Sequence, residues 1–209
     1  MRTRLPLAAA ALALAALALP AAAERHPEHM ITLGYQTEHA DVVAVARPGP
    51  SEIDPVDGVT RAAFEIETAI RGNVGAGTRI LVVHRELGHG AAWREGAPHL
   101  VFLTARTAPD GSVVHESLSG AFGFRPIVPG EPAERFPAIA ASIAATLDAG
   151  GGVRDPDALR GLLVRLVGDA DDGIASSAAL DLARHEALLP GLGEAERAAV
   201  AESFRRRTP

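Results

Sequence analysis

Short apolar runs rich in β-branched residues fill the first part of the chain, and each run is bounded by Gly, Pro or Asp. In one run Phe64, Ile66, Thr68 and Ile70 alternate with other residues, which is the two-residue period of a half-buried strand. An Asp-Gly pair in the stretch 108–112 predicts a tight turn and a hairpin. The predicted strands are DVVAVARP, VTRAAFEIETAI, TRILVVH, HLVFLTAR, SVVHESL and AFGFRPIV. Short strands at this spacing, without intervening helices, predict a small antiparallel barrel or sandwich.

The apolar period changes to about 3.6 residues in the C-terminal part of the chain, which indicates helices. AERFPAIAASIAATLDAGGG predicts one helix with a glycine stop. DPDALRGLLVRLVGD predicts the next, with Asp155 as N-cap and Pro156 at the first helical position. A third helix is predicted in DDGIASSAALDLARHEALLP, with Asp172 as N-cap. A fourth is predicted in GEAERAAVAESFRRR, which carries Val200 and Phe204.

The N-terminal segment has the pattern of a secretory signal peptide. Arg2 and Arg4 precede an apolar run that is interrupted by prolines and is shorter than the roughly 20 residues of a spanning helix. Small residues then lead to a polar stretch, so we expect cleavage near Ala23/Glu24. The mature protein is expected to be soluble, periplasmic or secreted, and free of the membrane. The predicted domains are a signal peptide at 1–23, a barrel domain at 24–130 and a helical domain at 131–209.

Composition narrows the classes of function. The chain has no cysteine, so no disulfide can form and the fold depends on its core alone. The formal charge of -6 opposes binding to a phosphate backbone, and we expect no nucleic-acid partner. Aromatic residues make up 4% of the chain, which leaves few side chains for stacking on bases or sugars.

Three histidines near the third and fourth predicted strands are candidate metal ligands. His84 ends one strand, His89 lies in a glycine-bounded loop and His99 begins the next strand. They converge on a zinc or copper ion only if the loop folds back. The His-Glu-x-x-His pattern of zinc proteases does not fit, because one residue too many separates His84 from His89 and Glu86 is displaced. The alternative interpretation, which we favour, is an ordinary connecting loop and no bound cofactor.

Other patterns of binding or catalytic residues are incomplete. His26 and His29 would lie close to a free amino terminus and form a second candidate for copper or nickel. RGNVGAG leads into a strand instead of a helix, so it indicates a turn and not a phosphate loop. GDADDG lacks the glutamate that completes a calcium loop and is interpreted as a helix cap. Ser117 and Ser119 lack the Gly-x-Ser-x-Gly elbow of a nucleophile, and we expect no catalytic residues.

The segments ADVVAVARPGP, FEIETAIRGNVGAGTRILVV, HLVFLTARTAPDGS and GAFGFRP together resemble the OB-like barrel of netrin-type and tissue-metalloprotease-inhibitor-like modules of secreted bacterial proteins. The resemblance covers about residues 40–128 and consists of strand spacing, an Arg-Gly turn and a late LVFL strand. It implies a barrel that binds another protein by an edge or a loop. The N-terminal cysteine and disulfides of the animal inhibitors have no counterpart here, so no inhibitory residue is carried over.

The stretch LLVRLVGDADDGIASSAALDLARHEALLP resembles a HEAT-type helical hairpin. One such pair cannot bury its apolar face alone, because solenoid repeats are stabilised by their neighbours. We therefore expect this tail to pack against the barrel or against the preceding helix. An unrelated helical hairpin is the alternative interpretation.

The sequence thus predicts an α+β protein with a small antiparallel OB-like barrel followed by a bundle of three to four helices. We expect an exported, non-enzymatic module that binds a protein partner, with protease inhibition as one version of this function. Two alternatives stay open. One is an exported metal-binding protein that uses His84, His89 and His99, and the other is a hydrolase whose site no motif marks.

Overall fold

The computed structural model describes residues 31–54, 58–85, 93–147 and 152–207. The predicted signal peptide and the candidate ligands His26, His29 and His89 lie outside these ranges. The side chain of Phe204 also lies outside the described part. None of the helices within the described ranges combines the length and the apolar character needed to cross a membrane.

Six strands form one sheet, and five of them close into a barrel. The strands are β1 Val42–Ile53, β2 Val59–Arg71, β3 Arg79–Arg85, β4 His99–Thr107, β5 Val113–Ser117 and β6 Phe124–Pro126. Hydrogen-bonded neighbours follow the order β1-β2-β3-β5-β4, and pairing of β1 with β4 closes the ring. β3 and β5 run parallel, while the other pairs are antiparallel. The predicted fold class is confirmed, and the one parallel pair makes the barrel mixed.

The predicted alternation of inner and outer side chains in β2 is correct at Phe64 and Ile66 and wrong at Thr68. Phe64 and Ile66 lie inside the barrel, and the glutamates between and after them face solvent. Thr68 was expected on the same inner face but is exposed. The register of β1 and β2 shifts at this point, so one extra residue of β2 is inserted and reverses the alternation.

The predicted hairpin joins β4 and β5, which pair antiparallel. Gly111 has a φ of +83°, a left-handed conformation that glycine adopts without steric cost. The backbone N–H of Ser112 donates to the Asp110 carboxylate over 2.9 Å, and the N–H of Ala108 closes the turn on the Ser112 carbonyl over 2.8 Å. The Asp-Gly pair therefore sets the register of the two strands.

The described ranges contain five α-helices, which share an apolar cluster with one side of the barrel. They are α1 Leu33–His39, α2 Phe136–Ala144, α3 Pro156–Val167, α4 Asp172–Arg184 and α5 Glu194–Arg207. Short 3₁₀ turns lie at Gly120–Gly123, Pro132–Arg135 and Glu186–Gly191. The start of α3 is as predicted, because Asp155 accepts a hydrogen bond from the N–H of Ala158 and Pro156 is the first helical residue.

Three details of the helices differ from the sequence predictions. α2 ends at Ala144, well before the glycine stop, because Leu147 forms a bridge with Val153 instead of continuing the helix. Asp171, and not Asp172, caps α4 by accepting a hydrogen bond from the N–H of Ile174. Helix α1 was not predicted.

The outer face of β1 and β4 packs against the helices. Val43, Leu100 and Phe102 belong to the same apolar cluster as residues of α2, α3 and α4. A second cluster fills the barrel interior and includes Phe64 and Trp93. The helices of the tail and the preceding helix α2 share the first cluster with the barrel residues Val43, Leu100 and Phe102, so apolar side chains cover one side of the barrel.

A buried carboxylate connects α1 to α4. Asp181, 2% exposed, accepts hydrogen bonds from the N–H of Gly34 over 2.9 Å, the N–H of Tyr35 over 3.3 Å and the hydroxyl of Thr32. Arg184 lies 3.8 Å from the same carboxylate. A Cβ at position 34 would overlap the carboxyl group, so only glycine fits there.

The opposite side of α1 is hydrogen-bonded to the barrel. The side-chain oxygen of Gln36 accepts two hydrogen bonds from the Arg125 guanidinium, at 2.8 and 3.0 Å. The side-chain nitrogen of Gln36 donates to the carbonyl of Phe122 over 2.9 Å. Because Arg125 lies on β6 and Asp181 on α4, α1 connects the barrel to the helices through two buried polar contacts.

Replacement of Asp181 by alanine is expected to lower the free energy of unfolding by about 1–3 kcal/mol, because buried N–H and O–H donors lose their acceptor. The matched control is Asp157→Ala on α3, whose side chain is 81% exposed and whose loss should cost less than about 0.5 kcal/mol. Urea unfolding of both variants measures the difference. Equal stability of the two variants would contradict the proposed role of Asp181.

Burial raises the pKa of Asp181 above its ordinary value of 3.8, although hydrogen bonds from Thr32, Gly34 and Tyr35 and the charge of Arg184 act against this. A carboxyl whose pKa is raised on folding stabilises the fold below its unfolded pKa, and this contribution is lost as the pH rises through the folded pKa. The stability of the wild type relative to Asp181→Asn should therefore fall as the pH rises above about 4.

Asp169 provides a control of opposite sign for this pH dependence. The hydrogen bond from Arg135 lowers the pKa of Asp169, so its contribution is present at neutral pH and is lost as the pH falls. The stability of the wild type relative to Asp169→Asn should rise with pH. Urea unfolding measures both differences as a function of pH. If the stability relative to Asp181→Asn and that relative to Asp169→Asn change in the same direction with pH, the raised pKa of Asp181 is wrong.

Candidate functional site

The outer face of the barrel around β3 is not covered by the described helices. Val83 pairs with Glu116, and Arg106 pairs with Val114, so these side chains share a face of the sheet. Leu81 is 42% exposed on this face. We call it the β3 surface and define it by Leu81, Val83, Arg85, Arg106, Val114 and Glu116.

Charged pairs surround the apolar centre of the β3 surface. Nε of Arg106 lies 2.9 Å from a carboxylate oxygen of Glu116. On the β2 side the distances are 3.6 Å from Arg79 to Glu65 and 3.2 Å from Arg61 to Asp54. An apolar centre with a polar rim that contains arginine is the usual composition of a protein–protein interface.

A polar cleft of about 340 Å³ lies at one end of the β3 surface. It forms because β3 and β5 pair over only two residue positions, and because a turn then separates β5 from β6. In that turn Gly120 has a φ of +57°, and the space beside its Cα is open. The lining residues are Val83, His84, Arg85, Arg106, Glu116, Ser117 and Gly120.

The hydroxyl of Ser117 is occupied by the turn that follows β5. It donates a hydrogen bond to the carbonyl of Gly120 and accepts one from the N–H of Ser119 over 3.3 Å. These bonds hold the turn against the end of the strand.

His84 and His99 are both buried, and each is surrounded by its own set of neighbours. The His84 ring lies edge-on to Trp93 and Phe124, at centroid distances of 5.9 and 5.6 Å. His99 uses Nδ1 to contact the carbonyl of Ala97 over 2.9 Å and Nε2 to contact the N–H of Arg94 over 3.4 Å. Both ring nitrogens of His99 thus have backbone partners.

The described ranges contain no group of three or more His, Asp or Glu side chains that could hold a metal ion. His84 and His99 are therefore not brought together with a third ligand from these ranges. His89 lies outside them, so a site that includes His89 stays a prediction.

His115 is a buried residue that the sequence analysis missed. It lies in β5 opposite Val82, and its side chain points into the barrel. Within the described part of the chain, its Nδ1 atom has no hydrogen-bond partner. Burial lowers the pKa of His115, although a backbone hydrogen bond at Leu81 and the charge of Asp41 act against this. The burial of His115 could have been predicted from the register of the Asp-Gly hairpin. This register pairs His115 with Ala105, which places the His115 side chain on the inner face next to Leu103.

Comparison with known proteins adds no identification. A scan against models of protein families finds no match, and a search of curated proteins finds no significant similarity. The resemblance to netrin-type modules and to HEAT-type hairpins consequently stays a prediction.

Neutral His115 is favoured in the folded state, so its contribution to stability is present above the unfolded pKa of about 6.5 and is lost as the pH falls through the lower folded pKa. The wild type should lose stability relative to His115→Gln as the pH falls below about 6.5. Urea unfolding across this range measures the slope, and Asp181 cancels because both proteins contain it. A slope that is unchanged in His115→Gln would contradict this prediction.

Proposed function

We propose that the protein is a non-enzymatic binding module that recognises a protein partner through the β3 surface. The observation that carries the proposal is Leu81, which is 42% exposed at the centre of a barrel face that the described helices leave uncovered. The opposite side of the barrel buries its apolar side chains under α2 and α3. An apolar centre without such a cover supports a role in contact with another molecule.

The composition of the β3 surface supports a protein as the partner. Leu81, Val83 and Val114 supply apolar contact area, and Arg85 and Arg106 supply long side chains at the rim. Binding energy at protein interfaces is concentrated in a few central residues that are shielded from water by such a rim. The adjoining cleft adds a concave part into which a side chain of the partner would fit.

The state of the polar groups in the cleft supports binding in preference to catalysis. Ser117 is held by the turn through Gly120, and Glu116 is paired with Arg106. An acyl-transfer site would need a hydroxyl in contact with a base. The pattern of residues 1–23 supports the further proposal that the protein acts outside the cytoplasm, in the periplasm or after secretion.

The test compares Leu81→Asp with Ile53→Asp, because Ile53 is 61% exposed at the end of β1 and lies outside the β3 surface. Each protein is cross-linked in an extract of its own periplasm or culture medium, and the captured protein is quantified. A central contact that is worth about 1.4 kcal/mol corresponds to a tenfold change in affinity. Leu81→Asp should therefore reduce capture at least tenfold, and Ile53→Asp should not.

Circular dichroism of both variants should show the wild-type fold, because both side chains lie on the surface. If Leu81→Asp retains the partner, or if both variants lose it equally, binding does not depend on the β3 surface. In that case the proposal is wrong.

A further inference from the structure

The distribution of charge in the cleft points to one class of ligand group. Of the described residues that line the cleft, two are arginines, Arg85 and Arg106, and one, Glu116, is acidic. Glu116 is in contact with Nε of Arg106. Arg85 forms no ion pair with any residue of the described ranges. Among the described residues that line the cleft, the cations therefore outnumber the anions by one.

We propose that this cleft is a carboxylate subsite in which Arg85 and Arg106 bind an Asp or Glu side chain of the protein partner. This inference rests on the proposed function, since it names the chemistry that the β3 surface recognises. The partner is then an acidic segment whose carboxylate enters the cleft while neighbouring apolar side chains contact Leu81 and Val114.

Guanidinium geometry favours this assignment. A planar guanidinium presents N–H donors as a fork that matches the two oxygens of a carboxylate. Arg106 contacts Glu116 through Nε, which leaves the end-on fork formed by its two Nη groups as donors for a ligand. Ser117 and Gly120 are uncharged and add no charge to the cleft. The hydroxyl of Ser117 already donates its hydrogen bond to the carbonyl of Gly120.

Charge matching distinguishes a carboxylate from a phosphate. A phosphoryl group carries about -1.5 to -2 charges at neutral pH, whereas an Asp or Glu side chain carries one. The single uncompensated cation of the cleft matches a carboxylate. The open space beside the Cα of Gly120 lets a ligand approach the backbone of the turn without meeting a side chain.

Leu81 and Val83 argue for a side chain of a protein in preference to a free acid. These residues continue from the cleft along the same face of β3, and Leu81 is exposed there. A free acid would fill the cleft and leave this apolar strip in water. A segment of a protein covers both.

The test uses N-acetyl-glutamate N-methylamide as the probe and its glutamine analogue as the matched neutral control. Each is titrated into the isotope-labelled protein, and the NMR signals of the Gly120 amide and the arginine Nε–H groups are followed. The glutamate probe should shift these signals saturably, with a dissociation constant on the order of 1 mM for a single charged contact. The glutamine probe should not.

Arg85→Gln should weaken binding of the glutamate probe at least threefold. Arg79→Gln is the matched control, because Arg79 lies on the same strand, is 77% exposed and lies outside the cleft lining. It should bind the probe as the wild type does. Equal weakening by both variants, or equal shifts with the glutamine probe, would overturn the carboxylate subsite.

Two further experiments test whether a different ligand occupies the cleft. Tighter binding of inorganic phosphate than of the glutamate probe would replace the carboxylate by a phosphoryl group and overturn the proposal. Self-association that is lost in Arg85→Gln, measured by sedimentation, would make a second copy of this chain the occupant and overturn the partner assignment.

The outcomes also separate this inference from the proposed function. If capture of a partner depends on Leu81 but the glutamate probe does not bind, the binding module stands and the subsite is wrong. If the probe binds through Arg85 but capture does not depend on Leu81, the assignment to a protein side chain is overturned together with the proposed function.

Discussion

The carboxylate of Asp181 at the start of α1 is the contact on which the arrangement of the described parts depends. It accepts hydrogen bonds from the N–H of Gly34 and the hydroxyl of Thr32, both buried, and shares the N–H of Tyr35 with the Thr32 hydroxyl that caps the helix. Gln36, one turn further along α1, is bonded to Arg125 of the barrel. A short helix that would be marginal alone is thereby held between α4 and β6. Loss of the Asp181 contact or of the Gln36 contact would leave a buried polar group without a partner. The position of α1 between α4 and β6 therefore depends on hydrogen bonds as much as on apolar packing.

This arrangement decides which side of the barrel is available for recognition. The helices cover the outer face of β1 and β4, where Val43, Leu100 and Phe102 become part of the joint core. The β3 surface lies on the remaining side, with Leu81 in solvent and the cleft at its end. Because the helices pack on the outer face of β1 and β4, they leave the β3 surface exposed on the other side of the barrel.

Sequence analysis succeeded where a feature depends on local chemistry. The six strands, the Asp-Gly hairpin and the Asp155 cap follow from periodicity and from turn and cap residues. It failed for α1, because LGYQTEH is too short to show a helical period and contains Gly34. It also placed the end of α2 too late, since Leu147 leaves the helix to pair with Val153, a residue beyond the glycines.

The sequence by itself determined the fold class, the order of the elements and the inner face of most strands, because these depend on the spacing of apolar residues along the chain. Only the tertiary structure decided the candidate site. Arg85 and Arg106 are far apart in sequence and line the same cleft because β3 and β5 pair in parallel while β5 pairs with β4. His84 was singled out as a ligand, yet its ring packs among aromatic side chains of the barrel core. Strand pairing across a closed barrel joins distant residues, and no local pattern records which ones.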